Sequence, residues 1–217
     1  TLSVSQIIEK SSNRGTGKLA LMIGKERQQE FLRSLGLFDK SPFEIIEASG
    51  STPLMPPKGR YSDLSAVTIS YGHGISTTAM HLAAAYSTIA NGGRAIKPTL
   101  LRQAGPVMGA RVMRQDVAAS ARAMLRDVVA GDDGTASFGD VEGYFVAGKT
   151  GTADKPKPRG GYYDDKVITT FASMFPGHDP RYVLVVTLDE PVETSSGKPR
   201  RMPPDMIARL RQAQVNQ

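Results

Sequence analysis

Val146-Ala147-Gly148-Lys149-Thr150-Gly151-Thr152-Ala153 is the stretch on which the reading of this chain turns. The apolar run Tyr144-Phe145-Val146-Ala147 reads as a strand entering a buried sheet. It passes into Gly-Lys-Thr-Gly-Thr without a turn signal strong enough to stop it. The far half of the strand therefore carries a cation, two hydroxyls and two glycines. Glycine inside a strand weakens it and often marks close approach of a ligand or another backbone. Lys149 supplies an ammonium with three donors, and Thr150 and Thr152 supply hydroxyls. Period-2 alternation sends the two threonines to one face. Two hydroxyls beside an ammonium suit a carboxylate. The bland alternative is an ordinary polar strand end, because short motifs recur by chance; the rest of the chain has to decide.

The 217 residues are enough for one large domain or two small ones, and 40% hydrophobic with 22% charged content is globular. No stretch has the unbroken apolar length that crosses a membrane. Position 1 is Thr, and residues 2–10 read as helix rather than as a leader, so the chain is expected to be a piece of something longer. Cysteine is absent, which excludes disulfides, thiolate zinc sites and a cysteine nucleophile within it. The net charge of +6 suggests anionic partners. Nucleic acid is a weak candidate: the basic residues are spread out, and 6% aromatic content gives few stacking platforms.

In order, residues 3–10 read as a short helix, with Ser3 and Gln6 at capping-box spacing and Val4, Ile7 and Ile8 as its apolar stripe. A second helix is predicted over 19–23 and the residues just before it. A third covers 26–35, with Phe31, Leu32 and Leu35 inward and Gly36 as its stop. Residues 39–70, rich in Pro, Ser and Gly, read as a long irregular excursion. Tyr71-Gly72-His73-Gly74 is a loop. Residues 80–90 form the clearest helix, capped among Ser76, Thr77 and Thr78, closed by Asn91-Gly92-Gly93, and apolar nearly all round, hence a core helix. Asp116 is expected to cap an amphipathic helix to Ala130, with Val117, Ala121, Met124, Leu125 and Val128 inward and Gly131 as its stop. Asp132-Asp133-Gly134-Thr135 is a turn. The strand through Lys149, a strand over 167–175 and a third over 181–188 have short links and read as an antiparallel meander, with a closing helix over 205–214. Helices followed by such a sheet give an α+β class.

The histidines do not gather: His73, His81 and His178 lack metal-ligand spacing, so neither a zinc site nor a histidine triad is expected. Gly15-Thr16-Gly17-Lys18 resembles a phosphate loop but fails on inspection. Leu19 stands where Ser or Thr is needed, no glycine lies five residues before Gly17, and no strand leads in. Ser11-Ser12-Asn13 sits between two helices, where Ser and Asn are favoured caps. Yet Ser-x-Asn followed much later by Lys-Thr-Gly on a strand is two parts of a three-part set found in β-lactamases and penicillin-binding proteins.

The match extends further. Residues 2–21, Tyr71-Gly72-His73-Gly74-Ile75-Ser76 through Ala90-Asn91-Gly92-Gly93, residues 148–153 and residues 182–191 occur in family order and resemble the transpeptidase domain of class B penicillin-binding proteins, above all the septal cell-division type. The resemblance implies the penicillin-binding-protein/β-lactamase-like fold, an antiparallel sheet flanked by helices plus a helical subdomain. It implies a peptidoglycan D,D-transpeptidase: a serine attacks the carbonyl between two terminal D-alanines, and the acyl group passes to an amine of a neighbouring stem peptide. β-Lactams trap the same serine. On this chain Ser11 would relay protons, Asn13 would bond the substrate amide, and Lys149 would set the electrostatics. Thr150 and Thr152 would bind the terminal carboxylate, and the N–H of Thr152 would supply half of an oxyanion hole. The substrate would lie along the strand as an added strand, with Gly151 making room. The family implies no cofactor and no nucleic acid. It implies a domain facing the periplasm, held to the inner membrane by an upstream anchor, beside a SEDS-type glycosyltransferase and division proteins.

One part of the set is missing. The family's Ser-x-x-Lys nucleophile motif lies upstream of Ser-x-Asn, and only ten residues precede Ser11. The single Ser-x-x-Lys here, Ser195 to Lys198, follows the Lys-Thr-Gly strand in a Gly/Pro-rich stretch and reads as a chance match. The chain thus reads as residues 1–217 of a partial transpeptidase domain, carrying walls of the site without its nucleophile and inactive alone. The alternative reading is a non-catalytic peptide- or β-lactam-binding module of the same fold.

Overall fold

The structure, a computed structural model, describes residues 1–191 apart from 42, 46–52, 57–58, 106, 108 and 159. The closing helix expected over 205–214 and the Ser195 to Lys198 motif lie outside the described residues. Contacts divide the chain into two compact units, Thr1–Gly151 with Phe171–Val186, and Thr152–Thr170 with Thr187–Gln217.

The first unit holds the helices: α1 (Val4–Glu9), α2 (Asn13–Ile23), α3 (Lys25–Ser34), α4 (Asp63–Ser70), α5 (Ala79–Ala90) and α6 (Gln115–Ala130). The box expected at Ser3 and Gln6 is present, each side chain bonding the other's backbone N–H. Ile7 is buried, whereas Val4 is exposed, so the stripe is narrower than its pattern. Phe31 on α3 and Val117 on α6 are likewise exposed rather than inward. α2 begins six residues earlier than the run 19–23 and takes Gly15 and Gly17 inside it. Both glycines are there for packing: a Cβ on Gly15 would stand 2.6 Å from Ile7 Cγ1, and one on Gly17 would stand 3.1 Å from Val67 Cγ1. α1 and α4 can therefore lie close against α2, which repays glycine's poor helix propensity.

The expected excursion over 39–70 ends in α4, whose N-terminus is fixed by a reciprocal box between Ser62 and Ser65. Its Ser and Thr content reads as loop, and burial of Ala66 and Ile69 overrides that propensity. α5 starts at the Thr78 cap as expected. Its innermost positions include His81 and Thr88 as well as alanines. His81 Nε2–H donates to the Asp39 carbonyl at 2.8 Å, leaving Nδ1 to accept from the Thr78 hydroxyl at 2.8 Å, and Thr88 bonds the Ala84 carbonyl at 3.0 Å. On α6 the cap position belongs to Arg114. Asp116 lies in the first turn and pairs with that arginine, and the residue at the end, Gly131, is extended rather than left-handed.

The sheet has three antiparallel strands in the order β1-β2-β3: β1 (Ala147–Pro156), β2 (Tyr162–Phe175) and β3 (Tyr182–Asp189). β1 starts later than the apolar run suggests. Tyr144 and Phe145 are exposed, and Phe145 has φ 51°, outside any strand. Two apolar clusters hold the start of β1 in the first unit. Val146 joins Val128, Val129 and Ala136, with Ile8, Phe171 and Phe175 around them. Ala147 joins Leu125 and Met174, flanked by Tyr86, Ile89 and Val183. Arg126 of α6 adds a polar tie, donating to the Val146 carbonyl at 2.7 Å and pairing with Asp140. In the second unit Lys155 pairs with Asp189 and Glu190, and Lys166 with Glu190.

Candidate active site

Ser11 is presented by the tight corner between α1 and α2. The residue takes φ 52°, a left-handed conformation costly for a non-glycine. Ser12, not Ser11, caps α2, accepting from the Gly15 N–H at 3.2 Å. Capping is thus done by the middle residue of Ser-Ser-Asn, which leaves the Ser11 hydroxyl for other work. Asn13 is the first residue of α2 and is exposed. Two contacts hold this corner to the end of α6: Lys10 pairs with Asp133 at 2.5 Å, and a Cβ on Gly131 would run into the Glu9 carboxylate.

Lys149 stands two residues past buried Ala147, and its ammonium donates to Ser11 Oγ and to the Thr150 carbonyl, the latter at 3.1 Å. Two motifs separated by 138 residues thus meet at one hydrogen bond. Burial lowers the Lys149 pKa from lysine's ordinary value, since partial loss of water disfavours the charged form. The Thr150 hydroxyl lies 3.4 Å from that of Thr135, which lies 3.4 Å from that of Ser11. Thr135 is a member of this cluster that the sequence did not single out; it reads there only as the end of an Asp-Asp-Gly-Thr turn.

The two glycines of β1 have different surroundings. A Cβ on Gly148 would lie 2.8 Å from the Ala172 carbonyl oxygen and 2.9 Å from the Phe171 ring. A Cβ on Gly151 would meet nothing within 4 Å. Among the described residues β1 pairs only with β2, so the other edge of the strand has backbone groups to offer. Thr152 is exposed and belongs to the second unit. Of the six residues expected from sequence, the structure brings together Ser11, Lys149 and Thr150, places Gly151 beside open space, and leaves Asn13 on the surface at the head of α2. A separate cavity of about 900 Å³ in the first unit, lined by Glu44, His81, Thr88 and Lys97 among others, includes none of the six.

The arrangement is an ammonium that keeps a hydroxyl oxygen supplied with a proton, next to a second hydroxyl on a strand with a free edge. It suits a bound anion and proton traffic beside it.

Comparison with known proteins agrees. The penicillin binding protein transpeptidase domain model matches residues 1–203. Penicillin-binding protein PbpB of Mycolicibacterium smegmatis is 38% identical over 89% of this chain and 32% of its own length. The probable peptidoglycan D,D-transpeptidase PenA of Neisseria meningitidis is 34% identical over 88% of this chain and 32% of its own. Among solved structures, the transpeptidase domain of penicillin-binding protein 3 of Burkholderia pseudomallei superposes with a TM-score of 0.81 at 31% identity, over 93% of this chain and 67% of that one. Penicillin-binding protein 3 of Mycobacterium tuberculosis, complexed with aztreonam, gives 0.79 at 30% identity, over 98% of this chain and 52% of that one. The chain spans about a third of the length of the curated relatives. A family model covering nearly the whole sequence, with the fold to match, means that this chain belongs to the penicillin-binding protein transpeptidase family.

Proposed function

We propose that this chain forms part of a peptidoglycan D,D-transpeptidase that cross-links stem peptides through a serine acyl-enzyme and is a target of β-lactams. The observation that carries the reading is the hydrogen bond from Lys149 to Ser11, which joins the Lys-Thr-Gly strand to the Ser-x-Asn corner. In this reading the nucleophilic serine comes from a Ser-x-x-Lys segment outside these 217 residues. Ser11 passes a proton between the catalytic lysine of that segment and the leaving amine. Asn13 bonds the amide of the substrate. Lys149 holds positive charge beside the terminal carboxylate, to which Thr150 and, by its place in the motif, Thr152 donate their hydroxyl hydrogens. The Thr152 N–H contributes to the oxyanion hole, a role worth a few kcal/mol where such donors have been removed. The substrate adds to the free edge of β1, with Gly151 leaving space for its approach.

The relatives support the substrate class through their names, and structures of the Mycobacterium tuberculosis protein with aztreonam and ampicillin support β-lactams as ligands. Location on the periplasmic side of the inner membrane, with an anchor, a SEDS-type polymerase and division proteins as neighbours, follows from the family reading. No helix among the described residues is long and apolar enough to cross a membrane.

The test is covalent labelling of the full-length protein by a fluorescent penicillin. It is expected to label, and Lys149→Ala is expected to slow labelling by about 10²-fold or more, the scale of a lost electrostatic or proton-transfer group. An intact protein that fails to acylate yet binds β-lactam reversibly would move the assignment to a non-catalytic binding module.

A further inference from the structure

The turn after α6 places one hydroxyl between the two halves of the site. Gly134 leaves no room for a side chain: a Cβ there would sit 2.5 Å from the Val128 carbonyl oxygen and 2.9 Å from those of Asp127 and Gly131. The Gly134 N–H bonds the Gly131 carbonyl at 3.0 Å, and fully buried Ala136 bonds the Val128 carbonyl at 3.0 Å. Asp133 of the same turn pairs with Lys10, next to Ser11. Thr135 is therefore gripped on both sides by backbone that cannot move without breaking the end of α6. Its own side chain is exposed, so folding does not require a hydroxyl at this position.

We propose that Thr135 is a positioning residue that couples the anion grip at Thr150 to the orientation of the Ser11 hydroxyl. The inference rests on the transpeptidase reading above. Thr135 Oγ1 lies 3.4 Å from Ser11 Oγ and 3.4 Å from Thr150 Oγ1. These are long for hydroxyl pairs, which prefer about 2.7–2.8 Å; catalytic hydrogen bonds often tighten only when substrate is present. Each hydroxyl has one proton to give. Lys149, as an ammonium, only donates, and it donates to Ser11. When Thr150 gives its proton to a bound carboxylate, its oxygen becomes an acceptor for Thr135. The Thr135 oxygen is then left to accept from Ser11. The line runs Lys149, Ser11, Thr135, Thr150, carboxylate, each group donating to the next. In this resting arrangement no bond to hydrogen breaks: the anion fixes which way three O–H groups point and so leaves the remaining lone pair of Ser11 facing the catalytic lysine, and the Ser11 O–H leaves Thr135 for the leaving amine only when Ser11 takes up that lysine's proton.

The experiment measures acylation of the full-length protein by stopped flow, separating the dissociation constant from the first-order rate. It compares a carboxylate-bearing β-lactam with its methyl ester in the wild type, Thr135→Val and Thr135→Ser. With the free acid, Thr135→Val is expected to lower the first-order rate about tenfold, the scale of one hydrogen bond, and Thr135→Ser to restore it to within about threefold. With the ester, which carries no charge for Thr150 to grip, Thr135→Val and the wild type are expected to react alike. Melting temperatures of all three proteins should coincide. A wild-type rate in Thr135→Val, or an equal loss with acid and ester, overturns the proposal while leaving the transpeptidase reading intact. Failure of the wild type itself to acylate overturns both.

Discussion

At the scale of single residues, the site depends on an ammonium kept partly out of water. Burial lowers the Lys149 pKa, so the folded chain holds this proton less tightly than the unfolded one. While both states are charged, the residue opposes folding. That penalty is relieved as pH rises from the folded pKa toward the ordinary lysine value of about 10.4, so its effect on stability runs upward with pH in that window. In the proposed mechanism activity runs the other way, because the bond to Ser11 needs the ammonium as donor. The acylation rate of the full-length protein is expected to fall on the alkaline side with a midpoint below about 10.4. Lys149→Arg, charged throughout, should lose that limb at whatever rate it retains. A limb at or above the free-lysine value, or one unchanged in Lys149→Arg, would remove Lys149 from this role. Ser11 and Lys149 were legible in the sequence because their motifs are short and local. Thr135 was not: Asp-Asp-Gly-Thr reads as a turn, and only the packing of Gly134 and Ala136 brings its hydroxyl between residues 11 and 150.

At the scale of elements, β1 carries two glycines that sequence cannot tell apart. Gly148 is fixed by the fold, since the Ala172 backbone and the Phe171 ring occupy the space of a side chain. Gly151 has open space where its side chain would be, which the substrate is proposed to use. Gly148→Ala is expected to destabilise the protein by about 1–3 kcal/mol, the usual cost of overpacking. Gly151→Ala should leave the unfolding free energy within about 0.5 kcal/mol, as surface changes do, while weakening capture of peptide or β-lactam. Chemical denaturation alongside labelling kinetics separates the two, and the opposite pattern would mean that β1 does not receive the substrate. The helices show where pattern reading stops. Thr78 was foreseen among the candidate caps of α5, but α4 was hidden in a Ser-rich stretch that folds because Ala66 and Ile69 are buried. How far α2 extends before Leu19 is not fixed by the sequence, because the packing of Ile7 and Val67 against Gly15 and Gly17 is a tertiary fact.

At the scale of the whole molecule, the α+β class, the antiparallel order of the strands and the family were all readable in advance. Helices come first in the chain, and the strands are joined by links too short for crossovers. The reach of β2, 14 residues rather than nine, was not readable, because its first five residues, Tyr162 to Lys166, lack the apolar signal. The chain spans only about a third of its curated relatives, and the proposed reading places the nucleophile outside these residues. What these residues supply is the pairing of Ser11 with Lys149, and a double-mutant cycle on acylation of the full-length protein tests it most directly. Ser11→Ala, Lys149→Ala and the double variant are compared by the second-order rate of β-lactam labelling. If the two act as one unit, the double variant will be about as slow as the slower single variant. If the two losses instead multiply, Ser11 and Lys149 act independently and the account of the site is wrong.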